Sequence, residues 1–449
     1  MIYGFTSALA TISSHESGKG NSREIGIQLH QCIFFSLILA AFAGSLNFWV
    51  KDMLILTGQP EDVAELVPGY VWPMAISLFP FSLIASAVNY LDAQQIFDPA
   101  SYSTLLSFVF HPFFCWLFIG VFDWGPFGGG LAVCLMSFID LLFLFGIVRL
   151  REVYWKEVQH SLFWPTRESI KGAWNVLKVG MASMLLTCVE WWGVEYTTMY
   201  AGWCGEDKLG AHAICVQIVN ILCMVASSFG LIIQTYSANA LGEKNRREFL
   251  AICRLGPLLG FFIGGIIMTL VVLFRDQVAR MFTSEEKIVE MTSNLLLPCM
   301  IYSFFYTSQC LFGSILKGIG KYTIAIVSSI IPYYFIGIPI SYYLAFQFKE
   351  YDVMGIWSGI SIGLITINIV FVIVLLRINL KEEMEKFEEE VEEEPEEDVH
   401  RSVDSGYVDI VEQFIEKKKK KQQAGFAAFL SKTQAKAEYR QKKLRRMAV

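Results

Sequence analysis

Ten apolar stretches of membrane-spanning length follow one another between Ile25 and Leu376. They run Ile25–Val50, Ala64–Tyr90, Ala100–Phe122, Phe127–Val148, Leu177–Trp203, Leu209–Ile233, Leu250–Phe274, Asn294–Leu316, Thr323–Phe346 and Val353–Leu376. A helix needs about 20 apolar residues to cross the hydrocarbon core. Inside lipid every backbone group must be satisfied within the segment, so stretches of this length are helices. Met1–Ser14 adds a partial apolar segment. At 449 residues and 54% hydrophobic, the chain reads as an all-α polytopic membrane protein.

The connecting loops alternate in charge. Sixteen Lys and Arg fall in one set, including Lys19, Arg23, Arg149, Lys244, Arg247, Lys317 and Arg377, against six in the other: Lys51, Lys208, Arg275, Arg280, Lys287 and Lys349. The positive-inside rule places the first set, and with it the C-terminal tail, in the cytoplasm. The membrane itself, plasma or internal, is not specified. Of ten cysteines, nine lie inside apolar stretches. None form a CxxC pair or a zinc-type Cys/His cluster, so no metal is expected. They read as small buried residues. Nothing resembles a nucleic-acid surface or a signal peptide.

The chain also matches itself. At a shift of 224 residues, Phe5, Thr11, Ser13, Gly18, Asn21, Arg23 and Glu24 fall on Phe229, Thr235, Ser237, Gly242, Asn245, Arg247 and Glu248. At 225, Pro73, Ile76 and Phe79 fall on Pro298, Ile301 and Phe304; at 220, Pro112 falls on Pro332. A tandem duplication follows, as in many transporters. The second copy holds six helices. Subtracting the shift puts the start of the first about fifty residues before Met1, so the first helix and the start of the second are expected to be missing. Six is even, so the two lobes share one orientation. The divisions are an N-terminal lobe over 1–160, a C-terminal lobe over 161–381 and a charged tail over 382–449.

Two acids stand out within these stretches. Glu190 and Glu195 share Leu177–Trp203, and a carboxylate at mid-membrane costs roughly 2.5–3.5 kcal/mol on insertion scales. Such residues carry protons, ions or cationic substrates, or else pair with a neighbouring helix. Low dielectric favours the neutral form of Glu190 near its helix midpoint. Proton and organic cation would then compete for one carboxylate. Glu195 lies roughly 7.5 Å further along and 140° around the helix, so the two do not share a face unless Gly193 allows a bend. Glu190 is taken as the coupling group, with Glu195 nearer the outer mouth. Trp191, Trp192, Tyr196 and Tyr200 surround the acids in sequence, and aromatic faces attract organic cations by about 0.5–2 kcal/mol each. Gln217, Asn220, Tyr306 and Gln309 are mid-helix polar groups able to line a cleft or simply bond between helices. His111 and His212 are candidates for proton relay, although packed polar residues are the simpler reading. Pro73, Pro80, Pro112, Pro298, Pro332 and Pro339 should kink their helices.

In the tail, 12 of the 17 residues from Glu382 to Asp398 are acidic, and 12 Lys and Arg follow from Lys417 to the end. The acidic block cannot bury an apolar face. The basic block could tether to anionic lipids at about 1 kcal/mol per near-surface charge, or pair with the acidic block, which is the simpler reading.

The segment CVEWWGVEYTTMYAG, with Cys188, Glu190, Trp191 and Glu195, resembles the seventh helix of eukaryotic members of the multidrug and toxic compound extrusion (MATE) family. Further similarities run in order: GFTSALATISSHESGKGN from Gly4, NYLDAQQIFDP from Asn89, LGAHAICVQI from Leu209, YSANALGEKN from Tyr236 and KGIGKY from Lys317. The resemblance covers residues 1 to about 381. It implies twelve helices in two six-helix lobes around a central cleft, exporting organic cations or toxic compounds in exchange for protons or sodium, with no cofactor beyond the ion gradient. Several positions depart from the family pattern. Tyr306 stands where relatives often have an acid, Gln217 where animal members have Glu, His15 where Gln is common and Ala10 where an acid is found. The first helix, which holds the key carboxylate of bacterial relatives, is expected to be missing. Rival readings are a lipid-linked flippase, which would need several cationic residues in its cleft, an integral membrane enzyme, which would need a catalytic cluster, and an inactive truncated remnant.

Overall fold

The computed structural model describes residues 1–56, 61–166, 169, 172–347, 352–378 and 382, without the side chains of 62 and 63. The charged-tail readings, and the loop charges at 167, 171, 349 and 381, lie outside the described residues. Among those described, the regular structure is helical: α1 Ile2–Thr6, α2 Leu9–Lys19, α3 Ser22–Leu46, α4 Val50–Leu56, α5 Glu61–Ala93, α6 Asp98–Cys115, α7 Gly125–Leu150, α8 Glu152–Val158, α9 Ala173–Trp203, α10 Glu206–Gly242, α11 Arg246–Leu273, α12 Arg275–Arg280, α13 Glu286–Gly318, α14 Tyr322–Ile330, α15 Ile338–Gln347 and α16 Asp352–Arg377. π-helical turns, Trp116–Val121 and Ile331–Gly337, continue α6 and join α14 to α15. Each follows or contains one of the repeat-related prolines, Pro112 and Pro332.

Ten helical passes result among the described residues, and nine of them are long and apolar enough to cross a membrane. The tenth, α9, has 31 residues but falls outside that set, because Lys178, Glu190 and Glu195 dilute its apolar content. The passes alternate in direction. One end of the bundle carries Lys19, Arg149, Lys244, Arg247, Lys317 and Arg377; this is termed the basic end below. At the opposite end Lys287 pairs with Asp207 and Lys208 with Asp352, tying together the starts of α10, α13 and α16.

The duplication is visible atom by atom. Asn21 caps α3 by accepting from the Glu24 N–H at 3.3 Å, and Asn245 caps α11 by accepting from Glu248 N–H at 3.3 Å. These are the same two positions in each repeat, and each N-cap is worth about 1 kcal/mol.

Residues 1–385 form one compact unit with two apolar cores. One gathers Phe5, Leu9, Ile25, Tyr90 and Leu144 from the first half. The other gathers Ile218, Leu296, Tyr302, Trp357 and Ile360 from the second. Helix α9 belongs to both: Val176, Met184 and Cys188 sit in the first core, Leu186, Val189 and Ala201 in the second. It therefore packs against both cores.

Candidate functional site

The halves meet through hydrogen bonds in the part of the bundle nearer the basic end. His15 Nε2 donates to the Gly318 carbonyl at 2.9 Å, and Asn239 Nδ2 donates to Ala93 O at 3.0 Å. His15 and Asn239 are related by the 224-residue shift, Ala93 and Gly318 by 225, so the two contacts are mirror versions of one crossing. Between them Gly18 and Gly242, again repeat partners, bring α2 and α10 into backbone contact. A Cβ on Gly242 would lie 2.1 Å from the His15 carbonyl oxygen; one on Gly18 would lie 2.2 Å from that of Asn239. Gln234 Nε2 donates to Thr11 Oγ1 at 2.9 Å, and Thr11 meets the Tyr322 hydroxyl at 2.8 Å. Deeper in, Ser7 meets Ser183 of α9 at 2.8 Å.

Beyond this closed end lies the Glu190 cluster. Gln309 Nε2 on α13 donates to Glu190 Oε1 at 2.9 Å. The Tyr333 hydroxyl donates to Gln309 Oε1 at 3.3 Å, and Tyr334 donates to the Val189 carbonyl at 3.1 Å. Tyr333 is fully buried in the second π turn. Its ring reaches this place because position 193 has no side chain: a Cβ on Gly193 would come within 3.1 Å of Tyr333 Cδ1. Helix α9 is continuous through Gly193, and the glycine makes room for a ring. Tyr302, Tyr306, Cys223, Cys310 and Lys317 all lie within electrostatic reach of Glu190. Tyr302 and Tyr306 stack with centroids 6.1 Å apart.

Of the residues singled out from the sequence, the structure joins Glu190 and Gln309 by a hydrogen bond, with Tyr306 one turn before Gln309 on α13. Glu195 is exposed on another face of α9, as its five-residue offset implies. Trp191 is 51% exposed, and Tyr196, also exposed, packs edge-on against Tyr334 at 6.2 Å. Asn220 is half-buried on α10, three residues before Cys223, and Gln217 is exposed. Tyr200 does not surround the acids: it joins Trp203, Tyr342 and Phe346 in an aromatic cluster toward the opposite end. His212 is fully buried against Trp357 and touches Thr198 at 3.3 Å; His111 meets Cys115 at 3.5 Å. Tyr333, Tyr302, Lys317 and Cys310 were not singled out for this site. The Pro332 repeat match was the one sequence signal near Tyr333.

A polytopic helical bundle of two repeat-related halves, closed against each other at one end, with a carboxylate set among aromatic and amide side chains, is the build of a membrane transporter. The MatE family model matches residues 1–117 and 182–343, more than half of the chain, and the chain belongs to that family. Among similar proteins, multidrug and toxin extrusion protein 1 of Danio rerio is 25% identical over 378 residues, 83% of this chain and 62% of that protein. Multidrug and toxin extrusion protein 2 of Mus musculus is 27% identical over 379 residues, 84% of this chain and 65% of that protein. The chain thus spans a little under two thirds of these curated relatives. The crystal structure of the eukaryotic MATE transporter AtDTX14 superposes with a TM-score of 0.81 at 21% identity, covering 87% of this chain and 86% of the other. An outward-facing multidrug resistance MATE transporter superposes at 0.70 and 17% identity, covering 87% and 85%.

Proposed function

We propose that this chain is a secondary active antiporter that exports organic cations or toxic compounds in exchange for protons, or sodium, by alternating access, with Glu190 as the coupling carboxylate. The observation that carries this reading is the Gln309–Glu190 hydrogen bond within a ring of tyrosines. Gln309 fixes the carboxylate and leaves its second oxygen for a visitor. The low dielectric penalises an unpaired negative charge there, so the group holds either a proton or a cation. An arriving organic cation displaces the proton, and an arriving proton displaces the cation. That exclusion is sufficient for exchange. Tyr306, half-buried one turn before Gln309, supplies an aromatic face for the cation. With the basic end and the C-terminus in the cytoplasm, the His15–Gly318 and Asn239–Ala93 crossings form the inner closure and the Glu190 site faces outward. Trp191, Tyr196, Gln217 and Asn220 line the route to it, and Glu195 draws cations to the mouth.

The test is uptake of a fluorescent organic cation into proteoliposomes after a pH jump, with the protein beside Glu190→Gln. Gradient-driven uptake that the variant loses supports proton exchange at Glu190. Uptake of equal size in both, or in neither with folded protein, overturns it.

A further inference from the structure

The hydrogen bond between Gln309 and Glu190 has a direction, and something must fix it. A glutamine amide carries donor and acceptor side by side, so it can turn over in one place. Beside an ionised carboxylate only the donor is useful. Turned over, the amide would set its carbonyl oxygen against the carboxylate. Beside a protonated carboxyl the turned amide is the better partner, because the acid O–H then donates to Gln309 Oε1. A glutamine free at its other end therefore suits either charge state of Glu190.

The other end of Gln309 is not free. The Tyr333 hydroxyl donates to Gln309 Oε1 at 3.3 Å, while Gln309 Nε2 donates to Glu190 Oε1 at 2.9 Å. Both side chains are buried. Turning the amide would leave the phenol proton to find another acceptor away from bulk water, which is costly. The ring itself is fixed. Tyr333 follows Pro332 in the second π turn and fills the space over Gly193, where a Cβ would lie 3.1 Å from its Cδ1 and 3.4 Å from its Cε1. Tyr334, next in the turn, donates to the Val189 carbonyl at 3.1 Å, so the turn is bonded to α9 beside Glu190. The other titratable and charged groups within electrostatic reach of Glu190 are Cys223 on α10 and Tyr302, Tyr306, Cys310 and Lys317 on α13. Among the described residues it is Tyr333 that reaches Gln309 Oε1.

We propose that Tyr333 is a positioning residue for the exchange: its hydroxyl holds the Gln309 amide as a donor toward Glu190, which favours the ionised carboxylate that takes an organic cation. The proposal rests on the reading of Glu190 as the coupling carboxylate. One oxygen of Glu190 stays committed to Gln309 and the other stays open. Without the Tyr333 hydroxyl the amide is free to turn, and the protonated carboxyl gains an acceptor. The proton then competes better against the cation, so the pH at which one gives way to the other moves up.

The experiment is an infrared pH titration of the full chain in nanodiscs, following the C=O band of the protonated Glu190 carboxyl, assigned by its loss in Glu190→Gln. In Tyr333→Phe the midpoint of the band's disappearance should rise by about half to one pH unit, the worth of one neutral hydrogen bond. Well below that midpoint, binding of a fluorescent quaternary ammonium probe should weaken about three- to tenfold. Gly193→Ala keeps the hydroxyl but displaces the ring, so it should shift the band the same way by less. In a Gln309→Met background Tyr333→Phe should shift nothing further, since Tyr333 acts through the amide. An unchanged or lowered midpoint in Tyr333→Phe, or in Gly193→Ala if the former does not fold, overturns the proposal. So does a shift of full size in the Gln309→Met background, which marks an effect that bypasses the amide. Proton-driven uptake of an organic cation keeps the two readings apart. If Glu190→Gln abolishes exchange and Tyr333→Phe leaves the band in place, the exchanger stands and the role of Tyr333 fails. If Tyr333→Phe moves the band and Glu190→Gln still exchanges, Tyr333 does orient Gln309 and the coupling assignment fails.

Discussion

Replacing Gly242 by Ala tests whether the repeat-related glycines hold the basic end shut. The added Cβ would stand 2.1 Å from the His15 carbonyl oxygen and 3.0 Å from Gly18 Cα. Both are backbone atoms, so no rotamer change relieves the clash. Restoring ordinary contact requires α2 and α10 to part by about 1 Å, since dispersion contacts between heavy atoms settle near 3.5 Å. The His15–Gly318 bond of 2.9 Å and the Asn239–Ala93 bond of 3.0 Å would then approach or pass the limit of a useful hydrogen bond. Two such bonds lost cost about 1 kcal/mol each, and overpacking costs about 1–3 kcal/mol more. Some of this overlaps, so about 2–4 kcal/mol is a fair range. It falls only on the state closed at this end. At 1.4 kcal/mol per tenfold, the equilibrium shifts by about 30- to 700-fold toward the state open there. Nitroxide labels at Ser22 and Arg247, in a background with the native cysteines replaced, report the separation by electron–electron resonance. A longer distance in Gly242→Ala is expected, with Gly18→Ala behaving alike by symmetry. Gly318→Ala should be milder, because its nearest neighbour at 2.2 Å is the rotatable Ser237 hydroxyl. Gly265→Ala, with nothing within 4 Å, is the control. An unchanged distance distribution in Gly242→Ala would refute the reasoning.

Gln309→Leu should cut proton-driven uptake of an organic cation about 10- to 100-fold, since it removes a charge-assisted bond worth about 1.5–3 kcal/mol. Tyr333→Phe, one bond further out, should cost less, and uptake rates in proteoliposomes rank the two. Thr292→Val should leave the thermal midpoint unchanged or raise it. The Thr292 hydroxyl is buried without a hydrogen-bond partner among the described residues, and trading an unsatisfied polar atom for a methyl of the same shape removes a desolvation cost.

What the sequence made legible was what lies along each helix. Spanning stretches follow from apolar length, and ten were read where ten passes form. Asn21 and Asn245, seen first as identities in a self-alignment, turned out to be matched caps because a cap depends on the next three residues alone. The offset between Glu190 and Glu195 separated them by helix geometry. Which helix faces which was not legible, and the remainder of the site depends on it. Tyr333 lies far from Glu190 in sequence and reaches it only because a π turn redirects the chain and Gly193 leaves space. Gly18 and Gly242 are ordinary helix glycines until α2 and α10 are placed side by side.

Duplication supplies what single-helix patterns lack. Two copies of one lobe, packed against each other, place equivalent residues on opposite sides of the same seam. Where the copies agree, as at Gly18 and Gly242 or at the carbonyls of Ala93 and Gly318, they build the closure. Where they differ, symmetry gives no structural reason for the difference. His15 opposite Asn239 changes the donor but keeps the bond. Asp92 opposite Lys317 reverses a charge at the end of a helix where only one sign is favourable. The charge reversal has no compensation within the described fold.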